Sequence, residues 1–308
     1  MTMNFWPWPG TVRKPEKQPL TVRLVDTTLR DGEQAPGLAF SSKTRLSLAM
    51  ALDRGGIYQL ETGCPAMGQP EEEKIRDIKM AVSGAKISVW SRIRRSDVLA
   101  SLRTYADIIH LCLPVTENHL TGKLGKSWSG IIRDLTECLE LIRQDSAQTQ
   151  VSVGLEDISR AGPEEIVRAA EILRKLAVFR VRVSDTVGIL TPSRTRSLVG
   201  FFVNEGFEVE FHAHDDLGLA EANTLTAGLA GAKYLDTTLG GIGERAGNCG
   251  LARLIAVSEG QLSLGLTLSQ AEALESSLTV KAARRAYILK AINSLKSGGI
   301  PEETGHES

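Results

Sequence analysis

The feature that most constrains the fold of this chain is a regular alternation of short β-branched runs with longer amphipathic segments. Candidate strands begin near residues 21, 57, 86, 107, 151, 179, 208 and 234. Their spacing is about 30 residues, the length of one strand with its crossover helix. Eight such units in series predict an α/β fold, the (β/α)8 TIM barrel. An open doubly wound sheet fits less well, because the turn after the first strand lacks a glycine-rich phosphate-binding pattern.

We expect the barrel to occupy residues 21–260 of the 308 residues. An N-terminal arm over 1–20 precedes it, and a short helical C-terminal extension with a polar tail follows over 261–308. In that extension, 262–267 is interpreted as a connection, 268–277 and 280–295 as helices, and 298–308 as disordered.

Helix boundaries inside the barrel have local signals. Ser41 or Ser42 is suited to cap the first crossover helix, because a serine hydroxyl accepts a hydrogen bond from a free backbone N–H. Pro163 is suited to the first turn of another helix, where its missing N–H costs nothing. The sequence pattern over residues 221–229 predicts a helix before the eighth strand.

Composition excludes several classes of function. The formal net charge is −1, so no polyanion-binding balance is present and no nucleic-acid partner is expected. The apolar runs are too short to span a bilayer, and residues 1–19 lack the apolar core of a secretory signal. The four cysteines contain no CxxC pair, which favours a reduced, cytoplasmic protein.

The chemistry of the chain centres on the run Phe-His-Ala-His-Asp-Asp-Leu-Gly at 211–218. His212 and His214 follow a short apolar run, so they are expected at the carboxyl end of a strand. Residues two apart on a strand point to the same face. Two imidazoles there form half of a divalent-metal site that still needs an oxygen ligand.

The other predicted strands also end in polar residues, and in a barrel all these ends meet at one rim. This convergence indicates an enzyme. The candidates along the rim are Arg30, Asp31, Gln34, Glu61, Arg92, His110, Glu156, Arg160, Thr186 and Asn248.

Three motifs then point to a family. Asp-Thr-Thr-Leu-Arg-Asp-Gly-Glu-Gln at 26–34, the His-Ala-His-Asp-Asp run and Gly-Glu-Arg-Ala-Gly-Asn at 243–248 occur in this order. Together they resemble the acyl-CoA-condensing metal barrels, namely the isopropylmalate, citramalate and homocitrate synthases, with HMG-CoA lyase as a relative. Segments at 61–68, 114–116 with 123–126, and 184–190 look most similar to the nitrogenase-associated type of homocitrate synthase.

The resemblance implies roles for individual residues. Asp31 matches the family's carboxylate ligand, His212 and His214 match its imidazole ligands, and Asn248 matches an amide that ligates the metal in some members. Arg30 matches the catalytic arginine. Glu156 and Thr186 match residues lining the substrate site. We take Glu156 as a candidate catalytic base, with a group from another chain as the alternative. Gln34, Glu61, Arg92, His110 and Arg160 are further candidate substrate-binding residues.

The activity implied by this resemblance is condensation of acetyl-CoA with a 2-oxo acid, 2-oxoglutarate giving homocitrate. A divalent cation (Mg, Mn or Zn) polarises the keto group, and Arg30 stabilises the developing alkoxide. Simpler roles compete at some positions. Asn248 is also suited to shaping its glycine-rich loop, Glu156 to balancing Arg30 or Arg160, and His110 to a structural hydrogen bond.

One feature departs from the family pattern. Condensing members continue into a C-terminal lid that supplies a histidine and a tyrosine to the partner subunit. Beyond Gly250 the only histidine is His306 and the only tyrosine is Tyr287. We therefore expect a short or missing lid. A homodimer is the default expectation, and a split enzyme whose partner chain supplies the lid is an alternative. A lyase like HMG-CoA lyase ranks low, because lyases carry a cysteine in the loop where this chain has Glu244 and Arg245.

Overall fold

A computed structural model describes residues 18–276, except 124 and 179. Eight parallel strands form a closed barrel, with each strand hydrogen-bonded to the next and the last to the first. The predicted (β/α)8 TIM barrel is therefore confirmed, and each predicted strand start lies within two residues of the observed one. The barrel strands are β2 (Arg23–Asp26), β3 (Gln59–Glu61), β4 (Lys86–Arg92), β5 (Ile108–Pro114), β6 (Gln150–Glu156), β7 (Arg180–Asp185), β8 (Glu208–Ala213) and β9 (Tyr234–Thr237).

Helices on the outside connect the strands, and their starts follow local chemistry. Ser41 caps the first helix by accepting a hydrogen bond from the Thr44 N–H at 3.1 Å. Pro163 is the first residue of another helix, as predicted. The helices are α1 (Ser42–Arg54), α2 (Gln69–Ala81), α3 (Arg95–Leu102), α4 (Trp128–Asp145), α5 (Pro163–Lys175), α6 (Pro192–Asn204), α7 (Ala220–Leu229), α8 (Leu251–Ser258) and α9 (Leu268–Ser276).

A small second sheet lies outside the barrel. Strand β1 (Leu20–Thr21) pairs in parallel with β10 (Leu262–Ser263), so Leu20 faces Leu262 in register. The prediction that the first barrel strand starts at residue 21 was thus two residues early, and the predicted connection 262–267 contains a short strand. These two strands join the segments that flank the barrel.

Several predictions fall outside the described residues. They concern the arm over residues 1–17, the second C-terminal helix at 280–295 and the polar tail at 298–308. Helix α9 agrees with the predicted helix at 268–277. Within the part of the chain that is described, no helix combines the length and apolar character needed to cross a membrane.

The hydrophobic core lies between the barrel and its helices, whereas the barrel interior is largely charged. In β7, Val181 and Val183 belong to the aliphatic core, and the alternate residues Arg180 and Arg182 are also almost completely buried. Successive strand residues point to opposite faces, so the arginines point inward.

Acidic side chains on neighbouring strands balance these arginines. Arg180 and Arg182 stand in register with Glu208 and Glu210 of β8. Arg180 Nε lies 2.9 Å and Arg182 Nε 2.6 Å from the two oxygens of Glu210. Burying charges is tolerable only when they are paired, and here the pairing joins two adjacent strands.

Aromatic rings close the amino-terminal end of the barrel, which we call the floor. The Arg23 guanidinium lies 4.5 Å from the centre of the Tyr58 ring and 5.8 Å from that of Tyr234. The Arg180 guanidinium lies 4.0 Å from the centre of the Tyr234 ring. These cation–π contacts fill the floor, so the open end of the barrel is the carboxyl end, which we call the mouth.

Candidate metal centre and active site

Three predicted metal ligands meet at the mouth. Asp31 lies in the loop after β2, His212 is the penultimate residue of β8, and His214 follows that strand. One donor atom from each lies within 4.8 Å of the other two. Asp31 Oδ2 is 3.0 Å from His212 Nε2 and 3.7 Å from His214 Nε2. All three side chains are buried, with 2–6 % exposure.

Backbone hydrogen bonds fix these positions. The N–H groups of Arg30, Asp31 and Gly32 all donate to the carbonyl of Thr27, which forms a tight turn after β2. His214 forms an isolated antiparallel bridge with Asn248, so the glycine-rich loop after β9 lies directly against the second histidine. The ligand group therefore joins the first strand of the barrel to the last two.

Asn248 is oriented as a possible fourth ligand. Its side-chain N–H donates to the carbonyl of Ile242 at 3.0 Å. Its amide oxygen is buried and accepts no hydrogen bond from the described residues, and the same is true of Asp31 Oδ2. Buried oxygens without donors are costly unless something else satisfies them.

This donor set fits a divalent cation. In the neutral form of its ring, His212 can present an electron pair on Nε2, which lies 3.0 Å from the carboxylate oxygen Oδ2 of Asp31. A shared cation would satisfy both. Two imidazoles with carboxylate and amide oxygens suit Mg, Mn or Zn and leave coordination positions for a substrate.

Burial and close charged neighbours shift the pKa values of the three candidate ligands. Burial acts to raise the pKa of Asp31, but Arg30 and the two histidines override it and hold this pKa far below its usual range. Burial lowers the pKa of His212, whereas Asp236 and Asp31 raise it. The net effect is a rise of this pKa to about 9. For His214, burial and the neighbouring His212 lower the pKa to about 4.

Arg30 is held beside the ligands by two carboxylates. Its NH1 lies 3.2 Å from Asp31 Oδ1, and its Nε makes a close contact with Glu61 Oε1. Burial lowers the pKa of Arg30, but Glu61 and Asp31 more than reverse this effect, so the guanidinium stays charged. The predicted catalytic arginine is thus a fixed positive charge next to the candidate metal ligands.

A cavity of about 540 Å³ opens over these residues. Most of the predicted site residues contribute to its wall, including both candidate catalytic residues and the three metal ligands. The predicted residues lining it are Arg30, Asp31, Gln34, His110, Glu156, Thr186, His212 and His214.

His110 is a buried member of this wall with a partner of its own. Its Nδ1 lies 2.7 Å from Ser152 Oγ. Burial and the nearby Arg182 hold the pKa of His110 well below its usual range, so the ring is neutral. A Cβ at Gly154 would collide with Nε2 of this ring, which explains why a glycine stands there.

Four predicted site residues lie outside the wall of this cavity. Glu61 is buried between Arg30 and Arg182, and Asn248 lies behind His214. Arg92 is half exposed and pairs with Asp97 at 2.6 Å. Arg160 lines an adjoining cavity of about 460 Å³ and pairs with Asp157 at 2.6 Å. Direct substrate contacts by Arg92 and Arg160 stay predictions.

The two cavities share Thr186 in their walls. The hydroxyl of Thr186 accepts a hydrogen bond from the Asp157 N–H at 2.9 Å. Asp157 adopts a left-handed backbone conformation, with φ of 64°, directly after Glu156. Aspartate tolerates this conformation, and the turn separates Glu156 in one cavity from Arg160 in the other.

Three charged residues behind the candidate ligands were not predicted from the sequence, namely Arg182, Glu210 and Asp236. His212 Nδ1 lies 3.0 Å from Asp236 Oδ2, and Arg182 pairs with Asp236, Glu210 and Glu61. A signal was present: Arg-Val-Arg-Val at 180–183 and Glu-Val-Glu-Phe at 208–211 alternate in step. Helices cover the outer face of the barrel, so the apolar residues of these strands face outward and the charged residues that alternate with them face inward.

The fold and the site together define a (β/α)8 barrel with a candidate divalent-metal centre at its mouth. The HMGL-like family model matches residues 21–278. This match covers most of the chain, and the chain therefore belongs to the HMGL-like family.

Two relatives and one solved structure illustrate the similarity. The chain is 39% identical over 249 residues to "Homocitrate synthase" of Frankia alni, covering 80% of this chain and 70% of the relative. It is 37% identical over 239 residues to "Homocitrate synthase subunit alpha" of Clostridium pasteurianum, covering 77% and 87%. The hydroxymethylglutaryl-CoA lyase structure from Pseudomonas aeruginosa superposes with a TM-score of 0.75 at 20% identity, covering 89% and 99%, which shows the fold alone.

Proposed function

We propose that this chain is a metal-dependent acyltransferase that condenses acetyl-CoA with a 2-oxo acid. The observation that carries the proposal is the group of Asp31, His212 and His214 in one cavity with Arg30. Relatives in the same family that are named homocitrate synthases support this reaction.

For the oxo acid we propose 2-oxoglutarate, with homocitrate as the product. The names of the two relatives given above support this choice. Isopropylmalate-type and citramalate-type synthases run the same chemistry on other 2-oxo acids, so a panel of acids decides among them.

The residues at the mouth divide the chemistry among them. Asp31, His212, His214 and Asn248 would hold a divalent cation, which supplies Lewis-acid polarisation of the keto group. Arg30 is placed to stabilise the negative charge that develops on the keto oxygen, because two carboxylates fix its guanidinium beside Asp31.

Glu156 is our candidate base, since its side chain lines the same cavity. It would accept a proton from the acetyl methyl group, and the resulting carbanion forms the new bond to the keto carbon. The keto oxygen then takes up a proton. Attack of water on the thioester carbonyl breaks the carbon–sulfur bond and releases coenzyme A as the thiol.

The test is release of free thiol from acetyl-CoA by the purified full chain. The assay compares 2-oxoglutarate, 2-oxoisovalerate and pyruvate, with Mg, Mn or Zn and with a chelator. We expect turnover that needs metal and prefers 2-oxoglutarate. Thiol release with none of the acids, in the presence of each metal, would overturn the proposal.

A matched pair of arginine variants sharpens this test. Arg30→Gln removes the charge at the mouth and should lower kcat by about 10²–10³-fold. Arg23→Gln makes the same change at the floor and should leave kcat unchanged. Equal losses in the two variants would contradict the role of Arg30.

A second candidate is that the chain acts as one subunit of a split enzyme. The relative named "subunit alpha" favours it. So do large apolar side chains that are exposed near the mouth, namely Met67 at 76%, Leu217 at 56% and Ile189 at 42%. Met67 follows β3, and Asp216, next to Leu217, contacts Gly188 beside Ile189.

Measurement of mass in solution, alone and after co-expression with a candidate partner, separates these assemblies. A homodimer with full turnover favours a self-sufficient enzyme. Turnover that appears only with a second chain favours the split form. Cleavage of a 3-hydroxy-3-methylglutaryl thioester, without condensation, would instead favour the lyase.

A further inference from the structure

A buried carboxylate on β9 contacts the first candidate histidine ligand from behind. His212 Nδ1 lies 3.0 Å from Asp236 Oδ2, and the two residues are 5% and 2% exposed. Asp236 does not line the cavity, so it has no access to a substrate there. The site residues that Asp236 contacts are His212 and Arg182, and of these His212 is the candidate metal ligand.

The contact determines which nitrogen of His212 faces the ligand group. A carboxylate accepts hydrogen bonds, so Nδ1 carries the hydrogen and donates it to Asp236. In the neutral ring Nε2 then has the free electron pair, and this atom lies 3.0 Å from Asp31 Oδ2. Hydrogen bonds of this kind orient metal-binding histidines and make them better ligands.

The second histidine differs in this respect. His214 Nδ1 is buried and has no hydrogen-bond partner among the described residues. Its ring is therefore not fixed from behind in the same manner. Of the two imidazoles, His212 is the one whose orientation is built into the barrel interior.

Arg182 holds Asp236 in turn. Its Nε lies 3.2 Å from Asp236 Oδ2, and its NH2 lies 2.5 Å from Glu61 Oε2. Glu61 is the same carboxylate that contacts Arg30. One buried guanidinium thus supports both the partner of the candidate ligand and the partner of the candidate catalytic arginine.

We propose that Asp236 is a positioning residue, which fixes His212 with Nε2 toward the cation while Arg182 keeps the carboxylate in place. This inference rests on the metal site of the proposed function. Its content goes further, because it assigns a role to a residue that contacts neither substrate nor metal.

The decisive comparison uses two carboxylate-to-amide variants. Asp236→Asn weakens the acceptor behind His212. Glu210→Gln removes a charge from the same Arg182, at a carboxylate 2.6 Å from its Nε, without a hydrogen bond to His212. Binding of Mg, Mn and Zn to the full chain is measured by calorimetry, and the fold by circular dichroism.

We expect Asp236→Asn to weaken metal binding by about 10–100-fold, the usual cost of losing a partner behind a ligand. Glu210→Gln should change it less than about 3-fold. Equal losses in both variants, or no loss in Asp236→Asn, would overturn the proposal. If the unaltered chain binds none of the three metals, it is the proposed function that fails instead.

A second measurement is made on the unaltered chain and uses a variant only to assign the resonance. Nitrogen-15 labelling of histidine in the unaltered, metal-loaded chain reports which ring nitrogen of His212 carries hydrogen. We expect Nδ1–H, with its resonance assigned through the His212→Gln spectrum. Hydrogen on Nε2 would contradict the proposed orientation.

Discussion

The two ends of the barrel differ in how their charged side chains are partnered. At the floor, Arg23 stacks on Tyr58 and Tyr234, and the hydroxyl of Tyr234 donates to Glu208 at 2.9 Å. At the mouth, Asp31 Oδ2 and the Asn248 amide oxygen are buried without donors among the described residues. The floor residues Arg23, Tyr234 and Glu208 have partners within the chain. The mouth keeps electron pairs that a cation can use.

The contrast separates stabilising from functional charges. Both ends contain arginines and carboxylates, so composition alone does not distinguish them. What differs is whether each polar atom has a partner within the chain. Variants at the floor should therefore change stability, and variants at the mouth should change binding and turnover.

The largest effect is expected for a carboxylate-to-amide change at the mouth. Asp31→Asn removes the charged ligand and should lower turnover by about 10³-fold, since several kcal/mol of charge stabilisation depends on the cation. Thiol release and calorimetric metal binding measure the loss. The same change at the floor, Glu208→Gln, should leave both unchanged; a comparable loss there would remove the distinction between the two ends.

Arg182 lies in the barrel interior between the floor and the mouth. Its substitution tests how much the buried ion pairs there contribute to stability. Arg182→Met leaves Glu61, Glu210 and Asp236 without their common cation. We expect the free energy of unfolding to fall by about 3–5 kcal/mol, as for other broken buried pairs. Urea denaturation measures the change. A loss below about 1 kcal/mol would indicate that the barrel interior is better hydrated than its burial suggests.

A pH effect of somewhat smaller size is expected from Asp26, at the end of β2. Burial raises the pKa of this carboxyl to about 7, although hydrogen bonds from Thr28 lower it in part. The folded state therefore binds the proton more tightly than the unfolded state. Stability is highest below the unfolded pKa near 3.8 and falls as pH rises toward 7, by about 4 kcal/mol at most.

Denaturation of the chain and of Asp26→Asn at several pH values isolates this contribution. The difference in unfolding free energy between the two proteins should change between pH 4 and 7 and stay constant above pH 8. A difference that does not vary with pH would show that Asp26 titrates normally.

The smallest effect is expected at the floor. Arg23→Gln removes stacking on two tyrosine rings at a partly exposed position and should cost about 0.5–1 kcal/mol of unfolding free energy. Thermal unfolding measures it. A drop in kcat for this variant would show that a change at the floor alters catalysis at the mouth.

The sequence predicts the barrel well because its units repeat. A strand of β-branched residues followed by an amphipathic helix has a local pattern, and eight repeats leave few alternative folds. The sequence also predicted that the candidate ligands Asp31, His212 and His214 lie together, because they follow strand ends that such a barrel brings to one rim. The ligand role of Asp31 was predicted from the family resemblance.

Other features depend on register, which the sequence pattern does not contain. Asp236 contacts His212 only because β8 and β9 pair with a particular offset. Arg92 was a candidate because it ends a strand, but its side chain pairs with Asp97 on the following helix. The short pairing of β1 with β10 joins residues about 240 positions apart, beyond the reach of local patterns.

That pairing of β1 with β10 has a practical consequence. It lies at the end of the barrel opposite the mouth, because Thr21 is only two residues before Arg23, the start of the first barrel strand. A surface, dye or carrier protein attached on this side would point away from the route by which small molecules enter. Tethering there offers a way to immobilise the protein with its reactive end facing the solution.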